Sequence, residues 1–130
     1  MKLEHTAINV SDPVSMAGWY KDNLGMKIVK AMTDGPLTHF LRDSGGMMML
    51  EIYRNPPDKI PDYKEMDPLI LHFAFISENP ESDSLRLSTA GASIEEDLLL
   101  DDGSRLIMMK DPWGINIQLC KRTTPLLIGR

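Results

Sequence analysis

Apolar and polar positions alternate along this chain in short runs, and the runs recur in the same order twice. Residues 3–10 and 69–77 each alternate with the period of a half-buried strand. A helix-capping residue and a proline come next in both places, Asp12-Pro13 and Asn79-Pro80. An Asp or Asn cap accepts a free N–H of the first turn, and proline fits the first helical position because no hydrogen bond is lost there. Each predicted helix runs toward a glycine, Gly25 or Gly91, suited to the left-handed residue that closes a helix. Three more strands follow in each half, 26–33, 37–42 and 47–54, then 93–100, 104–110 and 115–121. Asp34-Gly35-Pro36, Ser44-Gly45-Gly46, Asp101-Asp102-Gly103 and Asp111-Pro112-Trp113-Gly114 separate them, all turn chemistry. The pattern predicts an α+β fold of two tandem βαβββ modules, 1–54 and 69–121. A linker, 55–68, joins them; Pro56, Pro57, Pro61 and Pro68 make it read as stiff and largely extended. Residues 122–130 form a tail in which Leu126-Leu127-Ile128 offers an apolar surface to a partner subunit.

A shift of 67 residues lays His5 on His72, Ala7 on Ala74, Pro13 on Pro80 and Glu51 on Gln118. Alternation then sorts the strand faces. Met48, Leu50 and Ile52 share one face of the fourth strand, and Met49, Glu51 and Tyr53 the other. In the matching strand Ile115, Ile117 and Leu119 oppose Asn116, Gln118 and Cys120. The aliphatic faces are expected under the helices, and the mixed faces on the concave side of a curved sheet. Each first strand carries a His and a small Ala on one face, which leaves room in a cavity. The repeat thus delivers two imidazoles, one carboxylate and one amide at equivalent positions.

Composition narrows the chemistry. The 130 residues carry 14 Lys and Arg against 19 Asp and Glu, a formal charge of −5. No basic run tracks a phosphate backbone, so nucleic acid is not an expected partner. The longest apolar runs are far too short to cross a bilayer, and no signal-peptide stretch opens the chain. A soluble cytoplasmic protein is the expectation. A single cysteine, Cys120, excludes an internal disulfide and multi-cysteine zinc sites. Imidazole, carboxylate and amide oxygen suit a divalent ion such as Zn, Ni, Fe, Co or Mn. The candidate ligands are therefore His5, Glu51, His72 and Gln118. Tyr53 shares the face of Glu51, while Asn116 and Trp113 are further candidates for a pocket wall. His39, on a middle strand, reads as structural.

The chain resembles the vicinal oxygen chelate superfamily, which includes glyoxalase I, extradiol dioxygenases and bleomycin-resistance proteins. The resemblance rests on His5 in Leu-Glu-His-Thr-Ala and on the helix end Trp19-Tyr20-Lys21-Asp22-Asn23-Leu24-Gly25-Met26. It rests also on His72 in Leu-His-Phe-Ala and on Asp111-Pro112-Trp113-Gly114-Ile115-Asn116-Ile117-Gln118-Leu119. It implies paired modules forming an open, eight-stranded barrel-like sheet around a metal-binding cavity, with ligands at His5, Glu51, His72 and position 118. It implies a homodimer, because small members often pair and sometimes share each site between two chains. The activity it implies is that of a glyoxalase I-like lyase or isomerase acting on a vicinal-oxygen substrate through a metal-stabilised enediolate, with Glu51 as the base. The alternatives are a binding protein of the bleomycin-resistance type and a dioxygenase using His5, His72 and Glu51 as a facial triad. One departure matters: metal-dependent members usually carry Glu at the last position, and here it is Gln118. A neutral amide binds metal through oxygen but accepts no proton at neutral pH.

Overall fold

The computed structural model describes residues 1–127; Ile128, and with it the end of the apolar triplet in the tail, lies outside the described residues. Both halves follow the expected order. The first runs β1 (His5–Asn9), α1 (Pro13–Leu24), β2 (Lys27–Ala31), β3 (His39–Arg42) and β4 (Met49–Tyr53). The second runs β5 (Phe73–Ile76), α2 (Pro80–Thr89), β6 (Ser93–Leu99), β7 (Arg105–Lys110) and β8 (Asn116–Lys121). The strands form two four-stranded sheets, ordered β1-β4-β3-β2 and β5-β8-β7-β6, and neither closes on itself. In each, the first and last strands pair in parallel and the remaining pairs are antiparallel. The chain divides between Pro61 and Asp62 into two compact units, one sheet and one helix in each.

Local chemistry accounts for the elements. Asp12 and Asn79 each accept a hydrogen bond from the backbone N–H three residues on, Ser15 and Ser82, at 3.1 Å. Gly25 closes α1 in the left-handed conformation, at φ 69°. In the first unit α1 buries Met16, Ala17 and Tyr20 over Leu41, Leu50 and Ile52. In the second, α2 lays Leu87 over Ile107, Met109, Ile117 and Leu119. Each of the Leu, Ile and Met side chains among them contributes about 1.5–3 kcal/mol when fully buried. The aliphatic faces thus lie under the helices, as alternation predicts. The opposite faces are left to carry chemistry.

Two stretches depart from expectation. The strand expected over 69–77 begins only at Phe73, because Asp67 folds the chain into a turn. Ile70 N–H donates to Asp67 O at 2.9 Å and Leu69 N–H to the Asp67 carboxylate at 2.8 Å. An Asp-Pro pair is a turn starter, and here it overrides an alternating pattern whose Leu69 and Ile70 stand exposed. The segment 55–68 is not simply extended either, since Tyr63–Glu65 forms a 3₁₀ turn with Tyr63 buried. Its opening residues are tied down by Asn9, whose amide donates to Pro56 O and Lys59 O and accepts from Asn55 N–H. Its later residues pack against the β7–β8 turn at Gly114 (φ 89°), where a Cβ would come within 2.7 Å of Lys64 Cα. Only glycine permits that approach. No described helix is long and apolar enough to cross a membrane.

Candidate metal centre

In the first unit, parallel pairing sets His5 opposite Met49, Ala7 opposite Glu51 and Asn9 opposite Tyr53. Antiparallel pairing adds Phe40 beside Glu51. Paired residues share a face, so His5, Ala7, Phe40, Glu51 and Tyr53 lie together on the side away from α1. Ala7 is the smallest of them, which lets the His5 ring and the Glu51 carboxylate meet diagonally across it. His5 Nε2 stands 3.2 Å from Glu51 Oε2, with the two side chains 35% and 20% exposed. On its other edge, His5 Nδ1 lies 3.0 Å from Glu4 Oε1. Phe40 meets the imidazole edge-on, with ring centroids 5.7 Å apart.

The His5 ring has a carboxylate at each of its nitrogens. A carboxylate only accepts, so a proton on either ring nitrogen is donated, from Nδ1 to Glu4 or from Nε2 to Glu51. Nε2 and the Glu51 oxygen, 3.2 Å apart, can share a proton or be bridged by a metal ion. The donor pair fits a divalent ion, because neutral imidazole and carboxylate are its preferred borderline and hard ligands.

The second unit holds the other two candidates. Gln118 lies on β8 beside Ala74 and Met108, half-buried on the face away from α2. Its Oε1 accepts from the Cys120 thiol at 3.1 Å. Burial pushes the Cys120 thiol up, against the opposing pull of Arg122, so it is kept as a protonated donor. His72 is exposed just ahead of β5, and its Nδ1 donates to Pro68 O at 2.7 Å. That carbonyl cannot donate, so the lone pair of His72 also sits on Nε2. In its Nδ1–H form His5 presents the same nitrogen, each ring then oriented through its other one. This is the usual arrangement of a ligating imidazole.

The structure brings His5 and Glu51 together. Among the described residues no group of three or more His, Cys, Asp or Glu side chains is placed to hold a metal ion. Tyr53 is half-buried on the face of Glu51, and Trp113 is half-buried in its turn with its backbone N–H donating to Asp111 Oδ1 at 2.9 Å. Asn116, expected at a pocket wall, is only 2% exposed and spends its whole amide on internal hydrogen bonds. His39 is buried on the helix side with Nδ1 on Leu37 O at 2.6 Å. A cavity of about 350 Å³ in the second unit is lined by Glu78, Glu81, Arg105 and Lys121 among others, and by none of the candidate ligands. Sequence reasoning missed Glu4 and Phe40. Glu4 sits next to His5 in the chain and was open to inspection; Phe40 reaches the ring only through strand register.

The model of the Glyoxalase/Bleomycin resistance protein/Dioxygenase superfamily matches residues 2–119. No curated protein matches the sequence significantly. Among solved structures, a glyoxalase family protein from Enterococcus faecalis is 25% identical, with a TM-score of 0.71 over 92% of this chain and 97% of that one. TnmS3, an antibiotic binding protein from Streptomyces sp. CB03234, shares 17% identity at a TM-score of 0.73, covering 95% of this chain and 97% of its own. Lactoylglutathione lyase from Agrobacterium tumefaciens shares 18% at 0.67, covering 91% of each chain. At such identities the last two speak for the fold alone.

Proposed function

The chain belongs to the Glyoxalase/Bleomycin resistance protein/Dioxygenase superfamily, and we propose that within it the protein is a metal-dependent lyase or isomerase acting on a small substrate with two adjacent oxygens. The observation that carries this reading is the His5 Nε2–Glu51 Oε2 pair at 3.2 Å, an imidazole nitrogen and a carboxylate oxygen meeting in a half-buried space. The residues offered as ligands are His5 and Glu51 on the first unit and His72 and Gln118 on the second. A divalent ion held there supplies a Lewis acid for adjacent substrate oxygens. Glu51 is the only carboxylate in this set, so acceptance of a substrate proton falls to one of its oxygens. Gln118 contributes an amide, able to orient a ligand but not to take its proton.

One observation favours a second reading, that of a binding protein without chemistry: Gln118 Oε1 is already engaged by the Cys120 thiol. Calorimetric titration of chelator-treated protein with Zn, Ni, Co and Mn, joined to elemental analysis, separates the two. One ion per chain is expected, lost in His5→Ala and in Glu51→Ala. A wild type that binds no divalent ion would overturn the enzyme reading.

A further inference from the structure

The two histidines are held in unlike ways. His5 is the first residue of the β1–β4 ladder, opposite Met49, so its backbone is fixed by strand pairing. In the second unit the ladder begins one step later, with Phe73 opposite Ile117. His72 therefore falls just outside it, where regular pairing would have put it opposite Asn116. Asn116 stands at the place that Met49 occupies in the first unit, and its side chain takes over the missing role. Its Nδ2 donates to Leu71 O and to Met66 O, both at 3.2 Å. The Leu71 carbonyl belongs to the peptide that leads into His72, so holding it fixes the plane from which the His72 side chain departs.

Lys110 holds Asn116 in turn. Its Nζ donates to Asn116 Oδ1 at 2.9 Å, to Tyr63 O and Met66 O at 3.2 Å and to Gly114 O at 3.3 Å. With Oδ1 turned to a cation, the amide can direct only its N–H groups at the 66–71 backbone, so its orientation is fixed. The same backbone carries Pro68 O, the acceptor for His72 Nδ1. Carbonyls at 63, 66 and 71 and the histidine anchor at 68 thus converge on one clamp. Burying so polar a cluster is costly unless every group is paired, and here every atom of the amide is paired.

We propose that Lys110 and Asn116 are positioning residues that hold His72 with its Nε2 presented to a ligand, replacing by side chains the ladder that holds His5. The proposal deepens the metal reading above and rests on it for its purpose.

The test uses the full metal-free chain labelled with ¹⁵N. Long-range ¹H–¹⁵N spectra of the imidazoles should show His72 as a single Nδ1–H tautomer, with nuclear Overhauser contacts from the Asn116 amide to His72. The near-isosteric Asn116→Leu should turn His72 into a tautomer mixture while the His5 signals stay put. Zinc affinity measured by calorimetry should fall about 10–100-fold in that variant. Lys110→Arg, which keeps donors, should preserve the His72 pattern, and Lys110→Met should lose it. Unchanged His72 signals in Asn116→Leu, or equal changes in His5 and His72, would overturn the clamp. Absence of the Asn116–His72 contact in the wild type would overturn it even if the variants did not fold. A wild type that bound no zinc would overturn the metal reading alone, with the imidazole spectra still deciding the clamp.

Discussion

At the scale of single residues, the chemistry turns on which nitrogen or oxygen of each side chain is left over. Pro68 O takes the Nδ1 proton of His72, so the neutral ring has its lone pair on Nε2, whereas His5 has a carboxylate at each nitrogen. Gln118 is the one amide among the four candidate ligands. Gln118→Glu puts a charge between Met108 and the buried Cys120 thiol, so metal-free protein is expected to lose about 1 kcal/mol of stability. With a second carboxylate available, metal binding should tighten, each tenfold gain amounting to about 1.4 kcal/mol. The substitution also restores a base, so isomerisation of the methylglyoxal–glutathione hemithioacetal should rise from a low wild-type level. Parallel denaturant melts, metal titrations and a spectrophotometric assay read these effects separately. Strong turnover by the wild type would remove Gln118 as the block to that reaction.

Among the elements, the helices depend on their first turns. Hydrogen bonds from Ser15, its hydroxyl before its backbone N–H, hold the Asp12 carboxyl below its ordinary value of 3.8. A carboxyl depressed in the folded state contributes stability above its unfolded value, and the contribution disappears as pH falls through the folded one. Asp12→Asn keeps an oxygen acceptor at the cap but does not titrate, and caps of this kind are worth about 1 kcal/mol. The wild type is therefore expected to melt slightly above Asp12→Asn at pH 7. The gap should narrow steadily once the pH drops below about 4. Thermal melts of both proteins from pH 2 to 7 check this, and a gap independent of pH would contradict it.

For the whole molecule, the open edges and the exposed apolar residues of the linker turn and tail bear on assembly. Leu69, Ile70, Leu126 and Leu127 are all more than half exposed. Edge strands left unpaired and apolar side chains left in water both favour association. The protein is expected to be a homodimer. Light scattering at micromolar concentration checks it, and a mass near the 14.7 kDa of one chain would count against it.

Periodicity, caps and turn residues act over a few residues, and for that reason the β-α-β-β-β order, both helix starts and the aliphatic helix-facing strands were all legible in the sequence. The 67-residue shift likewise singled out His5, Glu51, His72 and Gln118 as equivalent pairs. What alternation could not decide was where a ladder ends, because that depends on a turn competing with strand pairing. Asp67 wins that competition and leaves His72 outside β5. Nor could sequence assign Asn116, which alternation puts on the same face as Gln118 although its amide is occupied by Lys110, Met66 and Leu71. Partners 45 and 50 residues away meet only when the chain is folded. The meeting of His5 with Glu51, too, depended on strand register across β1 and β4, a long-range choice that no local signal encodes.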